Sequence, residues 1–308
     1  METMNSIECF VASADAGSFS AAARRLGLTS AAVGKNVARL ESNLGVRLFQ
    51  RSTRKLTLTE AGERFLQEVG GGLETIRNAV ANLASAGGQP AGTLKVSMGS
   101  GFGREYVVPL LGDFLQRYPA ISPDWHFDNR PVDLIAEGFD AAIAGGTELS
   151  PGVVARELGP AHRVLLASPT YLASHAPLRS PQDLPQHDGI LIRSPQTGRI
   201  RPWTLRDRDG TQAPVALKVK MTVNDPNAAC EIAAMGLGVT LVSMPHAVVY
   251  MDSGALVRVL PDWYVDSGIL SLYFTAARLL PAKTRVFVDF MVERFRAQKL
   301  AERFSAIR

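Results

Sequence analysis

The chain has 308 residues, of which 46% are hydrophobic and 20% are charged. At about 100–200 residues per domain, this predicts two or three folded domains and argues against a disordered chain. The apolar runs are far shorter than the roughly 18 residues of a membrane span, and we expect no secretion signal at the N-terminus. Cys9 and Cys230 are the two cysteines, which favours a cytoplasmic protein. The net charge of +4 is too small to indicate a polyanionic partner unless it is concentrated in one region.

The first 45 residues predict three short helices, because apolar residues recur at helical spacing. Gly17, Gly27 and Gly45 follow these stretches as stop signals, while Ser18 and Thr29 (or the next serine) suit N-caps. Three helices with tight turns are typical of a helix-turn-helix unit. The outer face of the third helix carries small residues that allow close approach and cations that can bind phosphates or a guanine edge: Ser30, Ala31, Gly34, Lys35 and Arg39.

Residues 48–58 alternate apolar side chains around a polar tip that contains Arg51, Arg54 and Lys55. This pattern predicts a two-stranded wing whose tip reaches the minor groove or the DNA backbone. Residues 1–60 contain eight basic and five acidic residues, a net charge of +3. The cations lie mainly on the third helix and the wing, as a DNA-binding surface requires. The alternative is a structural helical bundle with a solvated basic face.

Several motifs of this segment resemble the signature of the LysR-type transcriptional regulator family, among them residues 10–12, 17–23, 44–49 and 58–62. The resemblance implies a winged helix-turn-helix over 1–60 whose third helix enters the major groove. Ser30 and Gly34 depart from the Gln and Ser that the family often has, so base preference does not carry over. The candidate DNA-contacting residues are Ser18, Ser20, Thr29, Ser30, Ala31, Gly34, Lys35, Arg39, Arg51, Thr53, Arg54 and Lys55.

A helix is predicted to follow, with six apolar residues spaced 3, 4, 3, 4 and 3 apart: Leu66, Val69, Leu73, Ile76, Val80 and Leu83. This heptad spacing predicts a coiled-coil seam, and the resemblance independently implies a dimerisation linker helix, here 61–86. The alternative is a helix that packs on its own domain. Residues 70–72 are three glycines inside this helix and suggest a bend or hinge. A linker is predicted at 87–92.

The remaining two-thirds alternate strand and helix patterns, which predicts an α/β sheet with parallel pairings. Predicted strands include 94–98, 124–127, 140–144, 153–157, 163–168, 189–192, 215–223, 239–242, 257–260 and 269–274, with helices at 131–137 and about 282–302. Residues 140–143, 223–225 and 236–239 resemble the effector domain of the same family. The resemblance implies two lobes of the type II periplasmic-binding-protein kind. Lobe one would be about 93–161 plus 268–308, and lobe two about 162–267.

Clefts between lobes are the usual ligand sites, and eight residues near predicted strand ends are candidates to line one: Ser100, Gly101, Phe102, Gly145, Thr147, Arg193, Asn224 and His246. The loop 98–103 precedes a helix, whose N-terminal N–H groups suit an anion; an ordinary tight turn is the alternative. Arg193 is either an anion partner or a surface cation. His246 is either a capping residue or a ligand group. The expected effector is an organic anion.

No metal-binding histidine spacing, G-x-S-x-G elbow or P-loop occurs, so we expect no catalytic residues, no metal and no cofactor besides the effector. Cys230 is expected to be a buried structural thiol, with a redox sensor as the alternative. The prediction is a cytoplasmic regulator that binds operator DNA as a homodimer or homotetramer and contacts RNA polymerase. A solute-binding or enzymatic α/β protein, or an architectural DNA-binding protein without an effector, are the alternatives.

Overall fold

The computed structural model describes residues 4–50, 56–84, 89–146, 152–275 and 280–307; within 60–84, side chains are described for 60–69, 72, 73 and 76. Its contacts divide the chain into two compact units. The N-terminal unit comprises Met1–Gly87 with Asp133–Gly138, and the C-terminal unit comprises Gly88–Val132 with Phe139–Arg308. Among the described residues, no helix combines the length and apolar character needed to span a membrane.

The N-terminal unit consists of three short helices, a two-stranded sheet and a long helix. These elements are α1 (Met4–Ala16), α2 (Phe19–Leu26), α3 (Ser30–Leu44), β1 (Phe49–Gln50), β2 (Thr57–Leu58) and α4 (Glu60–Ala84). The predicted caps are confirmed: Ser18 accepts a hydrogen bond from the Ala21 N–H, and Gly27 and Gly45 end α2 and α3 in the left-handed region. The strands β1 and β2 pair antiparallel, which gives the predicted wing its base.

The core of this unit is formed by the inner faces of α1–α3 and by β1. Phe10, Val33 and Leu40 are fully buried, and the Phe10 ring lies 5.3 Å from that of Phe49. Burial of this apolar face stabilises the three helices, each of which is too short to be stable alone in water.

The long helix α4 departs in part from the predicted dimer seam. Leu66 and Val69 pack against the core of their own unit, and Leu73 is 4% exposed whereas Ile76 is 45% exposed. The side chains of Val80 and Leu83 lie outside the described set. The helix runs without interruption through residues 70–72. A glycine in a helix interior costs about 1 kcal/mol relative to alanine, and here this cost does not break the helix.

The C-terminal unit contains eleven strands among its described residues. They are β3 (Gly92–Met98), β4 (Ile121–Phe127), β5 (Ala141–Gly145), β6 (Val153–Ala167), β7 (Asp188–Ile192), β8 (Thr204–Arg206), β9 (Gln212–Pro214), β10 (Lys218–Val223), β11 (Val239–Ser243), β12 (Val257–Val259) and β13 (Val265–Thr275). The α-helices are α5 (Ser100–Phe102), α6 (Leu111–Arg117), α7 (Pro169–Ser174), α8 (Pro226–Ala234), α9 (Met244–Asp252), α10 (Ala282–Ala297) and α11 (Leu300–Arg303). A π turn (Gly103–Val107) and a 3-10 turn (Val108–Leu110) connect α5 to α6.

Nine strands form one mixed sheet in the order β10-β7-β11-β6-β13-β5-β3-β4, with β12 also paired to β6. The long antiparallel strands β6 and β13 run through both lobes. The predicted lobe boundaries at 161/162 and 267/268 therefore fall inside these two strands. Lobe one is built on β3, β4 and β5, and lobe two on β7, β10 and β11. This is the α/β sheet that the sequence pattern predicts, in the two-lobed form that the family resemblance implies.

The structure corrects three predictions. Residues 131–137 are not a helix: residues 134–138 form turns, and the Asp133 carboxylate accepts the Ile135 and Ala136 N–H groups at 3.0 Å, in place of the backbone carbonyls that a helix beginning at residue 131 would supply. The predicted strands 153–157 and 163–168 are parts of one strand, β6, which continues through Pro160 and pairs with β13 across a register shift beside that residue. The last long helix ends at Ala297 instead of continuing to about residue 302. Two residues later Lys299 has a positive φ of 51°, which a continuous helix does not allow.

A buried ion pair holds the C-terminal helix α10 against lobe one. Lys283 Nζ lies 2.8 Å from Asp140 Oδ2, and the two side chains are only 3% and 8% exposed. Lys283 also donates to the Thr93 carbonyl, and Asp140 accepts the Lys95 N–H at 2.9 Å. These extra hydrogen bonds offset part of the cost of removing both charges from water.

Candidate functional site

The third helix presents the outer face that the sequence predicts. Val33, Val37 and Leu40 are buried on its inner side, while Ser30, Ala31 and Lys35 are exposed and Gly34 is half-buried. Thr29 caps the helix by accepting the Ala32 N–H at 3.2 Å, and Ser20 lies 3.4 Å from Ser30. The exposed surface is thus composed of small residues and one lysine that has no hydrogen bond or ion pair to another described residue.

Arg39 is exposed, but its guanidinium is already engaged within the N-terminal unit. It donates to Ser6 Oγ at 2.9 Å and to Asn36 Oδ1 at 3.3 Å. Arg39 therefore differs from Lys35, and a phosphate contact would compete with these bonds. The four wing-tip candidates Arg51, Thr53, Arg54 and Lys55 lie outside the described residues.

Glu41, which the sequence pattern does not mark as functional, fixes the base of the wing to α3. Its Oε1 accepts the Leu48 and Phe49 N–H groups at 2.8 and 3.0 Å, and its Oε2 pairs with Arg47 at 3.0 Å. Glu41 is only 8% exposed, and a buried carboxylate needs such partners. The sequence pattern alone does not reveal this burial.

A close approach between α4 and β1 completes the wing base. A Cβ at Gly62 would overlap the Leu48 carbonyl oxygen, so this position requires glycine. Thr59 precedes the helix, and its Oγ1 donates to the Arg47 carbonyl at 2.6 Å and accepts the Gly62 N–H at 3.0 Å. The motif at 58–62 thereby positions the wing.

The C-terminal unit contains a cavity of about 620 Å³ between its lobes, within the usual range for small-molecule sites. Of the eight sequence candidates, Phe102, Gly145, Arg193, Asn224 and His246 line it. Thr147 lies outside the described residues.

Ser100 and Gly101 are not among the described lining residues of the cavity, whereas Met98, Gly99 and Phe102 of the same loop are. The Ser100 N–H donates to Asn129 Oδ1 at 3.2 Å, which uses the group that an anion would need. A Cβ at Gly101 would overlap the Asn227 side chain. The middle of the loop, at Gly101, therefore packs against lobe two.

Direct hydrogen bonds connect the lobes beside this cavity. Asp225 caps α8 by accepting the Ala228 N–H at 2.9 Å, and it also accepts from Asn129 Nδ2 at 3.0 Å. Tyr106 donates its hydroxyl to the Pro245 carbonyl at 2.8 Å. Because these bonds cross from one lobe to the other, the cavity geometry depends on the closure of the lobes.

The cavity is rich in positive charge. Among its described lining residues are four arginines and one aspartate, and Asp128 pairs with Arg130 at 2.9 Å. For the other three arginines, the described part of the chain places no carboxylate within ion-pair distance. An unneutralised cation in a partly enclosed site favours an anionic ligand.

Arg163 occupies the sheet floor of the cavity and was missed in the sequence. Its Nε donates to Ser267 at 3.1 Å, and its guanidinium carbon lies 4.4 Å from the centre of the Trp203 ring. Arg201 lies over the same ring at 4.5 Å. Burial, and then the charge of Arg201, lower the pKa of Arg163 to about 10. No local motif marks an arginine in the middle of a strand.

His246 lies in the first turn of α9 at the same end of the cavity. Its Nδ1 is 2.8 Å from Ser243 Oγ, and its buried Nε2 has no hydrogen-bond partner among the described residues. Burial, reinforced by the charge of Arg163, lowers the pKa of His246 to about 4, so the ring is neutral at physiological pH.

Cys230 is fully buried in α8. Burial raises the pKa of its thiol to about 12, which suppresses the reactive thiolate. This environment fits the structural role predicted for it.

Two family models match the chain. Residues 4–63 match "Bacterial regulatory helix-turn-helix protein, lysR family", and residues 87–296 match "LysR substrate binding domain". The chain is 33% identical over 288 residues to a Klebsiella pneumoniae protein named "Probable HTH-type transcriptional regulator LtrA", covering 92% of each chain.

Solved structures of full-length regulators have the same fold. The Vibrio cholerae virulence activator AphB matches with a TM-score of 0.60 and 26% identity, over 94% of this chain and 99% of that one. CrgA from Neisseria meningitidis matches with a TM-score of 0.58 and 26% identity, over 96% and 99%. With its DNA-binding helices and its two-lobed cavity domain, the chain belongs to the LysR-type family of transcriptional regulators, which bind DNA through the former and a small-molecule effector through the latter.

Proposed function

We propose that this regulator responds to an organic anion bound in the cavity of its C-terminal unit. The observation that carries the proposal is the charge of the lining: three arginines without a carboxylate partner among the described residues. A bound anion neutralises this charge and thereby stabilises the liganded arrangement of the lobes. A ligand that binds one arrangement more tightly shifts the population toward it.

We further propose that the recognition helix α3 inserts into the major groove of the operator, with Ser30, Ala31 and Gly34 approaching the base edges. Lys35 and the wing cations bind phosphates, which makes the affinity depend steeply on salt. Contact with RNA polymerase and action in the cytoplasm, where bacterial operators lie, belong to the same proposal.

The proposed assembly is a homodimer, with a homotetramer as its extension. Paired recognition helices read two half-sites about one helical turn apart. Because Leu66 and Val69 pack on their own unit, we assign the partner contact to the later part of α4, which begins with the exposed Ile76.

An enzymatic role has one feature in its favour, the hydrogen-bonded pair of Ser243 and His246. However, a nucleophile–base pair needs a third group that orients the base, and the described residues place no partner on His246 Nε2. We therefore propose that the cavity binds its ligand without converting it.

The test begins with genome-wide mapping of bound DNA sites in the native host, followed by binding of the full-length protein to a mapped operator. A panel of organic acids and matched neutral amides is then added. We expect at least one acid to change operator affinity or DNA bending, and its amide to have no effect. Response to amides alone, or to no compound at all, would contradict the anion proposal.

A further inference from the structure

The deep end of the cavity combines two unsatisfied groups of different kinds. Arg163 supplies a positive charge without a carboxylate partner among the described residues. His246 supplies a buried ring nitrogen without any described partner. A ligand that binds here has to satisfy both groups, because a buried polar atom left unpaired costs about 1–3 kcal/mol.

The sheet register brings these two groups together. Arg163 on β6 lies directly opposite Ser243 on β11, and Ser243 is bonded to His246. On the other side, β13 supplies Ser267, which accepts from Arg163 Nε. Directly paired residues have Cβ atoms about 5 Å apart, so one end of a small molecule can reach both groups.

The orientation of the guanidinium is fixed before a ligand arrives. The bond to Ser267 holds its Nε, and the Trp203 ring lies against its face. The terminal N–H groups remain available in a planar fork, the arrangement that pairs with a carboxylate through two parallel hydrogen bonds.

His246 needs a ligand group of a different kind from the one that binds Arg163. As a neutral ring it carries no charge to attract a second anionic group, and its Nε2 either donates or accepts one hydrogen bond. The cavity lining also includes apolar side chains, among them Phe102, Leu241 and Leu270.

We propose that the effector is a carboxylic acid with a hydroxyl or keto oxygen on the adjacent carbon and an apolar body, its carboxylate on Arg163 and its neighbouring oxygen on His246. This assignment rests on the proposed function, since it specifies the ligand of the same cavity. His246 is then the specificity-determining residue that separates 2-hydroxy acids from plain acids.

The experiment measures binding of phenylacetate and mandelate to the full-length protein by calorimetry. The two acids differ by the hydroxyl on the carbon next to the carboxylate. We expect mandelate to bind at least 10-fold more tightly. Arg163→Gln should weaken both acids by a similar factor of 10 or more, whereas His246→Leu should remove only the preference and His246→Gln, which retains a polar atom near Nε2, should keep part of it.

Arg179→Gln, an exposed arginine outside the cavity, is the matched control and should bind like the wild type. Tryptophan fluorescence unfolding checks that each variant is folded; Arg163→Lys replaces the glutamine variant if that variant does not fold, and should bind both acids more weakly because the planar fork is lost. Equal affinity for the two acids, no binding of either, or a preference that survives His246→Leu overturns the assignment. The proposed function fails separately, when no acid of the wider panel alters operator binding.

Discussion

The two sites of this regulator are built in opposite ways. The proposed DNA-binding surface uses consecutive helices and the paired strands β1 and β2 within residues 18–58, and its described cations Lys35 and Arg39 are exposed. The cavity draws on residues from Ser97 to Tyr273, and its arginines lie between two lobes. The first site is formed by local structure, whereas the second exists only when distant strands have paired. The two should therefore respond differently to mutation, pH and salt.

The largest difference is expected at the buried ion pair, whose partners are 143 residues apart. Asp140→Ala leaves the buried Lys283 without its carboxylate partner, which should destabilise the C-terminal unit by about 3–5 kcal/mol. Urea unfolding followed by tryptophan fluorescence measures this unit selectively, since Trp125, Trp203 and Trp263 all lie in it.

The matched control is Asp113→Ala, because Asp113 forms an ion pair with Arg294 at 2.8 Å but is 58% exposed. Its loss should cost less than about 1 kcal/mol. If both variants shift the urea midpoint equally, long-range burial is not what stabilises this unit.

The N-terminal unit should depend instead on a short-range contact. Gly62→Ala introduces a Cβ against the Leu48 carbonyl and should destabilise the helical unit by about 3 kcal/mol, the upper part of the overpacking range. Gly72→Ala lies in the same helix with nothing within 4 Å of the added Cβ and should stabilise it by up to about 1 kcal/mol.

Circular dichroism at 222 nm records both glycine variants, while tryptophan fluorescence should stay unchanged. The two glycines also test the hinge hypothesis for residues 70–72. If Gly72→Ala leaves DNA bending and effector response as in the wild type, no hinge at that glycine is needed. Similar destabilisation by both substitutions would contradict the assigned packing.

The sequence predicts features that depend on local structure better than features that depend on the pairing of distant strands. The caps at Ser18, Thr29 and Asp225 and the helix ends at Gly27 and Gly45 were predictable, because each depends on neighbours within a few residues. The continuity of β6 across Pro160 was not, since β6 pairs there with β13, a strand about 100 residues further along the chain.

The cavity residues were hard to predict from the sequence for the same reason. Arg163 occurs in an ordinary strand pattern, and its partners Trp203 and Ser267 are 40 and 104 residues away. Conversely, the glycine loop at Ser100 has the local pattern of an anion site, but Asn129 takes its N–H. The spacing of residue types along a segment predicts that segment's backbone conformation. It does not reveal which distant side chain hydrogen-bonds to the segment's free N–H and C=O groups.

The stability of the two units should depend differently on pH, because all five histidines lie in the C-terminal unit. Burial lowers the pKa of His162 and His187, and lowers that of His246 to about 4. A histidine with a lowered folded pKa binds its proton mainly in the unfolded state. Its stabilising contribution is therefore complete above pH 6.5 and is lost as the pH falls toward 4.

For His246 the expected loss between pH 7 and pH 5 is about 2 kcal/mol, measured by urea unfolding with tryptophan fluorescence. His246→Gln should reduce this pH dependence, whereas His126→Gln, at an exposed residue, should not. Stability that rises on acidification would show that these rings gain a partner in their protonated form.

The smallest effect should appear in DNA binding, where salt is the variable. Lys35 has no described partner and is free to bind a phosphate, so Lys35→Ala should reduce the slope of log affinity against log salt by about 0.9 for each protomer bound. Arg39 is already bonded to Ser6 and Asn36, so Arg39→Ala should change the slope less. Filter binding of a mapped operator over a range of potassium chloride concentrations compares the two. An equal or larger change in slope for Arg39→Ala would mean that its guanidinium exchanges Ser6 for a phosphate when DNA binds. The contacts that these exposed cations make in the free protein would then not predict their contribution to DNA binding.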